Sequence, residues 1–149
     1  MQVGDVAPSF SLLDLNNNLV NSDQFPGKRI ILFFYPMAMT PGCTKQACSW
    51  RDSFSRLPAD CVVFGVSKDQ PDKLKEFKEK HSMQFDLLSD PKGEMMKKYG
   101  VISSIPLINK TALGTQRYTI VLKDGKVIYC KKTGTNNSEV IDWLLANNE

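Results

Sequence analysis

The chain has 149 residues, 42% apolar and 23% charged, with nine glycines and eight prolines. That composition suits one domain, 1–149, with a real core, and excludes disordered, collagen-like and low-complexity chains. The net charge of +3 excludes little, because Lys73, Lys75, Lys78 and Lys80 alternate with Glu76 and Glu79 as on a solvated helix face, and no nucleic-acid partner is expected.

In chain order, the segment before Lys28 reads as a small hairpin turning at Asn16-Asn17-Asn18. Ile30 to Tyr35 is an unbroken apolar, β-prone run that fits a central strand buried on both faces. It covers about a third of a bilayer crossing, so no membrane span is expected. Thr40-Pro41 then opens a helix running to about Ser55, with Thr as the N-cap and Pro at the first helical position. Cys61 to Val66 is a second buried strand. Gln70-Pro71 opens the next helix, which runs to His81. A short strand at Phe85 to Leu88 follows, then a brief helix from Asp90-Pro91 that Gly100 closes. Tyr118 to Leu122 and Lys126 to Cys130 flank Asp124-Gly125, a strong hairpin signal. Asn136 and Glu139 resemble a capping box before the amphipathic final helix. The order implies parallel strands joined by helical crossovers, with the hairpin adding antiparallel strands to the same sheet. The expected fold is an α/β three-layer sandwich with a mixed sheet, compatible with a thioredoxin-like arrangement, and with an N-terminal β-hairpin extension.

Four cysteines, Cys43, Cys48, Cys61 and Cys130, are too few for a disulfide scaffold. The opening Met1-Gln2-Val3-Gly4-Asp5 lacks the pattern of a secretory leader, so reduced thiols in a cytoplasmic setting are expected. The spacing C-x4-C without a second pair, and with His81 remote, argues against zinc. Neither a metal nor an organic cofactor is indicated. Cys43 falls in the first turn of the helix after the central strand, where unpaired N–H groups and the helix dipole favour a thiolate. Gly42 permits close approach to the backbone, and Thr40 can cap the helix and place a hydroxyl beside the sulfur. On an ideal helix, residues five apart have Cα atoms roughly 8.6 Å apart and diverge by about 140°. Disulfides need less than about 7 Å. Cys43 and Cys48 therefore cannot bond unless the first turns unwind. Two unrelated thiols remain the alternative at this point.

Phe34-Tyr35-Pro36-x3-Thr40-Pro41-Gly42-Cys43-Thr44-x2-Ala47-Cys48-x-Trp50-Arg51-Asp52 resembles the signature of peroxiredoxins, in particular the bacterioferritin comigratory protein or peroxiredoxin Q subgroup. The likeness continues in Gly4-Asp5-x-Ala7-Pro8, Gly65-Val66-Ser67, Leu87-Leu88-Ser89-Asp90-Pro91, Tyr99-Gly100-Val101 and Arg117-x-Thr119. The resemblance implies a thiol peroxidase in which Cys43 is the peroxidatic nucleophile and Thr40, Pro36 and Arg117 complete its site. It further implies Cys48 as the resolving thiol, a hydroperoxide substrate, and a thioredoxin-type reductant. A monomer or weak homodimer is expected, in the cytoplasm or, after loss of a presequence, a plastid. Cys61 and Cys130 are expected to be core or incidental residues.

Two departures stand out. Gln46 replaces the subgroup's usual Glu; it can still accept a hydrogen bond from Arg117 but carries no countercharge. Met37 and Ala38 occupy positions commonly charged in relatives, and a site edged by Met37 and Met39 suggests apolar hydroperoxides. The alternatives are a dithiol–disulfide oxidoreductase on the same fold, which would show C-x2-C at the helix start, and a binding module argued only by charge.

Overall fold

The run from Ile30 onward forms the central strand because every second residue serves a different core. A computed structural model describes residues 1–107 and 110–147, with 103–107 and 110–113 described at the backbone only. The strands are β1 (Ser11–Asp14), β2 (Leu19–Asn21), β3 (Arg29–Phe34), β4 (Cys61–Ser67), β5 (Asp86–Ser89), β6 (Ile102–Leu107), β7 (Lys110–Thr115), β8 (Tyr118–Lys123) and β9 (Lys126–Lys132). The helices are α1 (Pro41–Ser53), α2 (Pro71–His81), α3 (Glu94–Lys98) and α4 (Ser138–Ala146). Seven strands form one mixed sheet in the order β2-β1-β5-β4-β3-β8-β9. β3, β4 and β5 run parallel, while β8, β9 and the N-terminal hairpin are antiparallel to their neighbours.

All six residues of β3 are buried. Ile31 and Phe33, with Tyr35 beyond them, join Ala47 and Trp50 of α1, Leu74 and Phe77 of α2, and Val140, Ile141 and Leu144 of α4. Ile30, Leu32 and Phe34 point the other way, to Met95 and Met96 of α3, Tyr99 and Phe10. The period-2 alternation of a strand thus separates three helices on one face from one on the other. Phe33 anchors the first face: its ring stacks on Trp50 at 5.9 Å and meets Phe85 edge-on at 5.6 Å.

The sandwich and the crossover order match the expectation, and several element ends do not. α1 stops at Ser53, and Phe54–Arg56 tighten into a 3-10 turn. α3 starts at Glu94 rather than near Pro91, because Asp90 acts from outside the helix, accepting the N–H groups of Met95 and Met96 at 3.4 and 3.0 Å. The cap of α4 is Asn137, not Asn136. Asn136 instead accepts the Ser138 N–H at 2.9 Å, and Glu139 pairs with Lys131. The hairpin turn at Asp124-Gly125 has φ of 49° and 79°, the pair of positive angles that makes Asn/Asp-Gly the favoured two-residue turn. The β6–β7 hairpin was not expected, since Ser103-Ser104 and Pro106 weaken the strand pattern there.

Arg29 ties three elements together. Its guanidinium grips Asp60 through two bonds of 2.8 and 3.1 Å, and donates to the Leu144 and Asn147 carbonyls at the end of α4 at 3.2 and 3.3 Å. The hydrogen bond from Arg29 holds the Asp60 carboxyl below its ordinary pKa. A depressed folded-state pKa means the stabilisation is complete above the unfolded value and is lost as pH falls through the folded one. Asp60→Asn is therefore expected to cost on the order of 1 kcal/mol at neutral pH, because the Asp60 carboxylate, unlike the buried Arg29, is partly exposed. Urea unfolding as a function of pH checks this: the gap to wild type should close in acid, below the ordinary carboxylate range.

Candidate active site

The parallel arrangement of β3, β4 and β5 brings the carboxyl ends of these strands to one edge of the sheet, where open α/β sheets place their sites. β3 ends at Phe34, and the chain passes through Tyr35 to Met39 before α1 begins. Thr40 is the N-cap, in extended conformation with φ −81° and ψ 153°, and Pro41 occupies the first helical position. Cys43 is then the third residue of α1 and is 1% exposed. The Gly42 and Cys43 N–H groups precede the first intrahelical bond, from Thr44 N to Thr40 O at 2.9 Å, and among the described residues neither is given an acceptor, which leaves them facing an oxygen at the sulfur.

Arg117 arrives from the far side of the sequence. It lies just before β8, and its carbonyl accepts the Thr133 and Gly134 N–H groups at 3.0 and 3.2 Å. β8 pairs with β3 in a register that sets Thr119 beside Phe33, which places the arginine at the end of β3. Its Nη1 donates to Cys43 Sγ at 3.2 Å and to Gln46 Oε1 at 2.8 Å. The other end of the Gln46 amide donates from Nε2 to the Phe34 carbonyl at 3.0 Å. Gln46 is 2% exposed and links helix, strand and arginine through both ends of a neutral amide.

A side chain at position 42 would meet this guanidinium. A Cβ there would sit 2.8 Å from Arg117 Nη2, so the close approach that Gly42 allows is that of the arginine itself. Thr40 departs from the expected cap. Its hydroxyl donates to the Met37 carbonyl at 2.8 Å and makes no side-chain cap to the helix. Pro36 and Met37 are exposed, while Ala38 is buried and Met39 packs against the core.

Cys48 lies in the same unbroken helix, half-buried, and all four cysteines are free thiols. Cys61 and Cys130 are half-buried on β4 and β9, where burial pushes both thiols up from their ordinary pKa. Among the described residues, no group of three or more His, Cys, Asp or Glu side chains is placed to hold a metal ion. No helix there is long and apolar enough to cross a membrane.

The AhpC/TSA family model matches residues 3–130. The peroxiredoxin Bcp of Escherichia coli is 40% identical over a 149-position alignment that covers 97% of this chain and 96% of that protein. This chain is a peroxiredoxin of the AhpC/TSA family.

Solved structures agree with the fold. The peroxidoxin BcpB of Mycobacterium tuberculosis superposes with a TM-score of 0.87 at 29% identity, over 100% of this chain and 99% of that one. A bacterioferritin comigratory protein of Xanthomonas campestris, studied for its alkyl peroxide reduction activity, superposes at 0.90 with 21% identity, over 100% and 98%. The peroxiredoxin is accordingly a thiol peroxidase, and the binding-module and dithiol-oxidoreductase alternatives fall away. Of the residues singled out in the sequence, Cys43 and Arg117 meet directly, Thr40 caps the same helix by backbone alone, Pro36 is exposed, and Cys48 lies on the same helix. Asp69 was missed. Its carboxylate holds the loop before α1 through the Ala38 N–H at 2.7 Å. The sequence signal was present in Ser67-x-Asp69-x-Pro71 after a strand, a polar turn of the kind that binds nearby backbone.

Proposed function

We propose that Cys43 is the peroxidatic nucleophile, that Arg117 and Thr40 stabilise its transition state with Pro36 screening the sulfur, and that Cys48 resolves the oxidised enzyme. The observation that carries this reading is the Arg117 guanidinium 3.2 Å from Cys43 Sγ, braced by Gln46. The thiolate attacks one oxygen of the hydroperoxide. An S–O bond forms, the O–O bond breaks, and the departing oxygen leaves as an alcohol or water once protonated. Negative charge migrates from sulfur to that oxygen, so fixed donors at the far end lower the barrier more than they stabilise the ground state. Acidifying the thiol alone would not serve, because nucleophilicity falls with pKa along a Brønsted slope of about 0.4–0.5. Arg117 supplies charge, and the Gly42 and Cys43 N–H groups supply donors. The Thr40 hydroxyl joins them by turning from the Met37 carbonyl toward an incoming oxygen.

Cys43 sulfenic acid then condenses with the Cys48 thiol, forming the S–S bond and releasing water. Both residues sit on intact α1, where ideal geometry keeps their Cα atoms about 8.6 Å apart, so the first turns of the helix open during each cycle. A thioredoxin-type dithiol returns the enzyme to its reduced state by exchange. The chain acts as one domain over 1–149, with Cys43, Gln46 and Arg117 meeting within it, as a monomer or weak homodimer. The relatives named above are bacterial, which favours the cytoplasm and offers nothing for a plastid.

The experiment is peroxide consumption coupled to thioredoxin and its reductase. Cys48→Ser should oxidise once at the wild-type rate and then stall, losing at least about tenfold in steady-state turnover while its sulfenic acid accumulates by mass spectrometry. Normal cycling of that variant would reassign the resolving thiol. Organic hydroperoxides are the proposed preferred class, since Met37, 56% exposed, and Met39 edge the approach with apolar surface. A higher kcat/KM for an alkyl hydroperoxide than for hydrogen peroxide is expected, and the reverse order would remove the preference.

A further inference from the structure

We infer that Asp69 is a positioning residue for peroxide attack: it latches the loop between β3 and α1 in the one shape that presents Cys43 to its donors. The inference rests on the roles given above to Cys43 and Cys48. Asp69 stands between β4 and α2, outside the catalytic constellation. One of its carboxylate oxygens, Oδ2, accepts both the Ala38 N–H at 2.7 Å and the Ser67 hydroxyl at 2.8 Å. Its own N–H donates to Ser67 Oγ at 3.3 Å, and its carbonyl accepts the Ser89 hydroxyl at 2.6 Å. Asp69 is therefore fixed to the ends of two central strands, its carboxylate to Ser67 of β4 and its carbonyl to Ser89 of β5, before the carboxylate reaches the loop.

The loop needs such a hold. Ala38 is 2% exposed, so its N–H has no recourse to water if the carboxylate is removed. Met39, the next residue, has φ of 70°, a left-handed conformation that an unbranched side chain tolerates only when its surroundings impose it. Thr40 then starts α1. Tyr35 adjoins the cluster: its phenol is fully buried, and burial pushes its pKa up, opposed in part by Ser67 and reinforced by smaller effects of Asp69 and Cys43. Within this arrangement the latch favours the folded first turn of α1, in which Cys43 is reactive. It opposes the opened turn, in which Cys43 can reach Cys48.

That opposition separates a positioning role from a general contribution to stability. Without the latch, the first chemical step should slow while the second does not. Reduced wild type, Asp69→Ala and Asp69→Asn are mixed rapidly with hydrogen peroxide, and oxidation of Cys43 and the subsequent Cys43–Cys48 disulfide are timed by tryptophan fluorescence and quenched-sample mass spectrometry. Asp69→Ala is expected to slow the oxidation by about tenfold or more, the scale of a buried donor left unpaired, with disulfide formation equally fast or faster. Asp69→Asn should stay within about threefold of wild type in both steps, because its single amide oxygen can accept the same two donors. Oxidation of Asp69→Ala at the wild-type rate overturns the inference, as does equal slowing of both steps, or an Asn variant as slow as the Ala one. Should Asp69→Ala fail to fold, hydrogen exchange in the reduced wild-type protein decides. The Ala38 amide is expected to be strongly protected, and exchange at the rate of an open loop overturns the latch. Cys43→Ser run alongside separates the two failures: if it still consumes peroxide, the assignment of Cys43 is what has failed, and the amide exchange still judges Asp69.

Discussion

Cys43→Ser is expected to reduce peroxide turnover to the uncatalysed background in the thioredoxin-coupled assay, while leaving the protein folded. The two side chains differ by one atom, so the pocket, 1% exposed at this residue, accepts the replacement without a large cavity. What is lost is the proposed nucleophile. Sulfur is a strong nucleophile toward peroxide oxygen, whereas a serine hydroxyl needs an adjacent general base to become nucleophilic. Among the described residues, none of the ion pairs or hydrogen bonds gives position 43 such a base; its polar side-chain partner among them is the Arg117 guanidinium. A variant that retained turnover would move the chemistry to Cys48, Cys61 or Cys130. Circular dichroism and thermal unfolding of the variant show whether loss of activity reflects chemistry or folding.

Arg117→Met is expected to slow oxidation of Cys43 by about 10²–10³-fold, the loss typical of one fixed donor aimed at developing negative charge. Methionine keeps much of the side-chain length and removes both the charge and the fork. Arg117→Lys should fall between this variant and wild type, because an ammonium restores charge but cannot serve Cys43 and Gln46 with the same planar geometry. The measurement is the second-order rate constant of the reduced enzyme with hydrogen peroxide by stopped flow, so that the resolving and recycling steps do not enter. A rate within threefold of wild type for Arg117→Met would remove the arginine from the mechanism. The effect should exceed that of any change at Gln46, which touches the sulfur only through the guanidinium.

Several features of this site were legible without a structure because they depend on neighbours in sequence. Thr40-Pro41 opens α1 for reasons of local backbone geometry, and Asp124-Gly125 turns a hairpin because two positive φ angles are needed in succession. The apolar run in β3 could be assigned to the sheet centre since no single-sided strand has that pattern. The failures share a different cause. The β6–β7 hairpin has a weak strand pattern of its own, and the cap of α4 moved by one residue because Glu139 found Lys131 across the surface. The Thr40 hydroxyl was free to choose between the helix and the loop, and only the shape of that loop decided for the Met37 carbonyl. Gln46 looked like a loss, a countercharge replaced by an amide. Its value depends on the Phe34 carbonyl, which offers an acceptor that an ionised carboxylate could not use.

The amino-acid order by itself determined the α/β alternation, the placement of Cys43 in the first turn of a helix, and the impossibility of joining it to Cys48 without unwinding that turn. These follow from helix and strand periods, which act over a few residues. The resemblance placed Arg117, 74 residues away, at that sulfur and beside Gln46, but tertiary structure alone decided that Gln46 is anchored in turn on the Phe34 carbonyl and that Asp69 fastens the intervening loop. Such contacts depend on the register of β8 on β3 and of β4 beside it. Register is a property of two strands together, set by packing both faces of the sheet at once, and no local pattern encodes it.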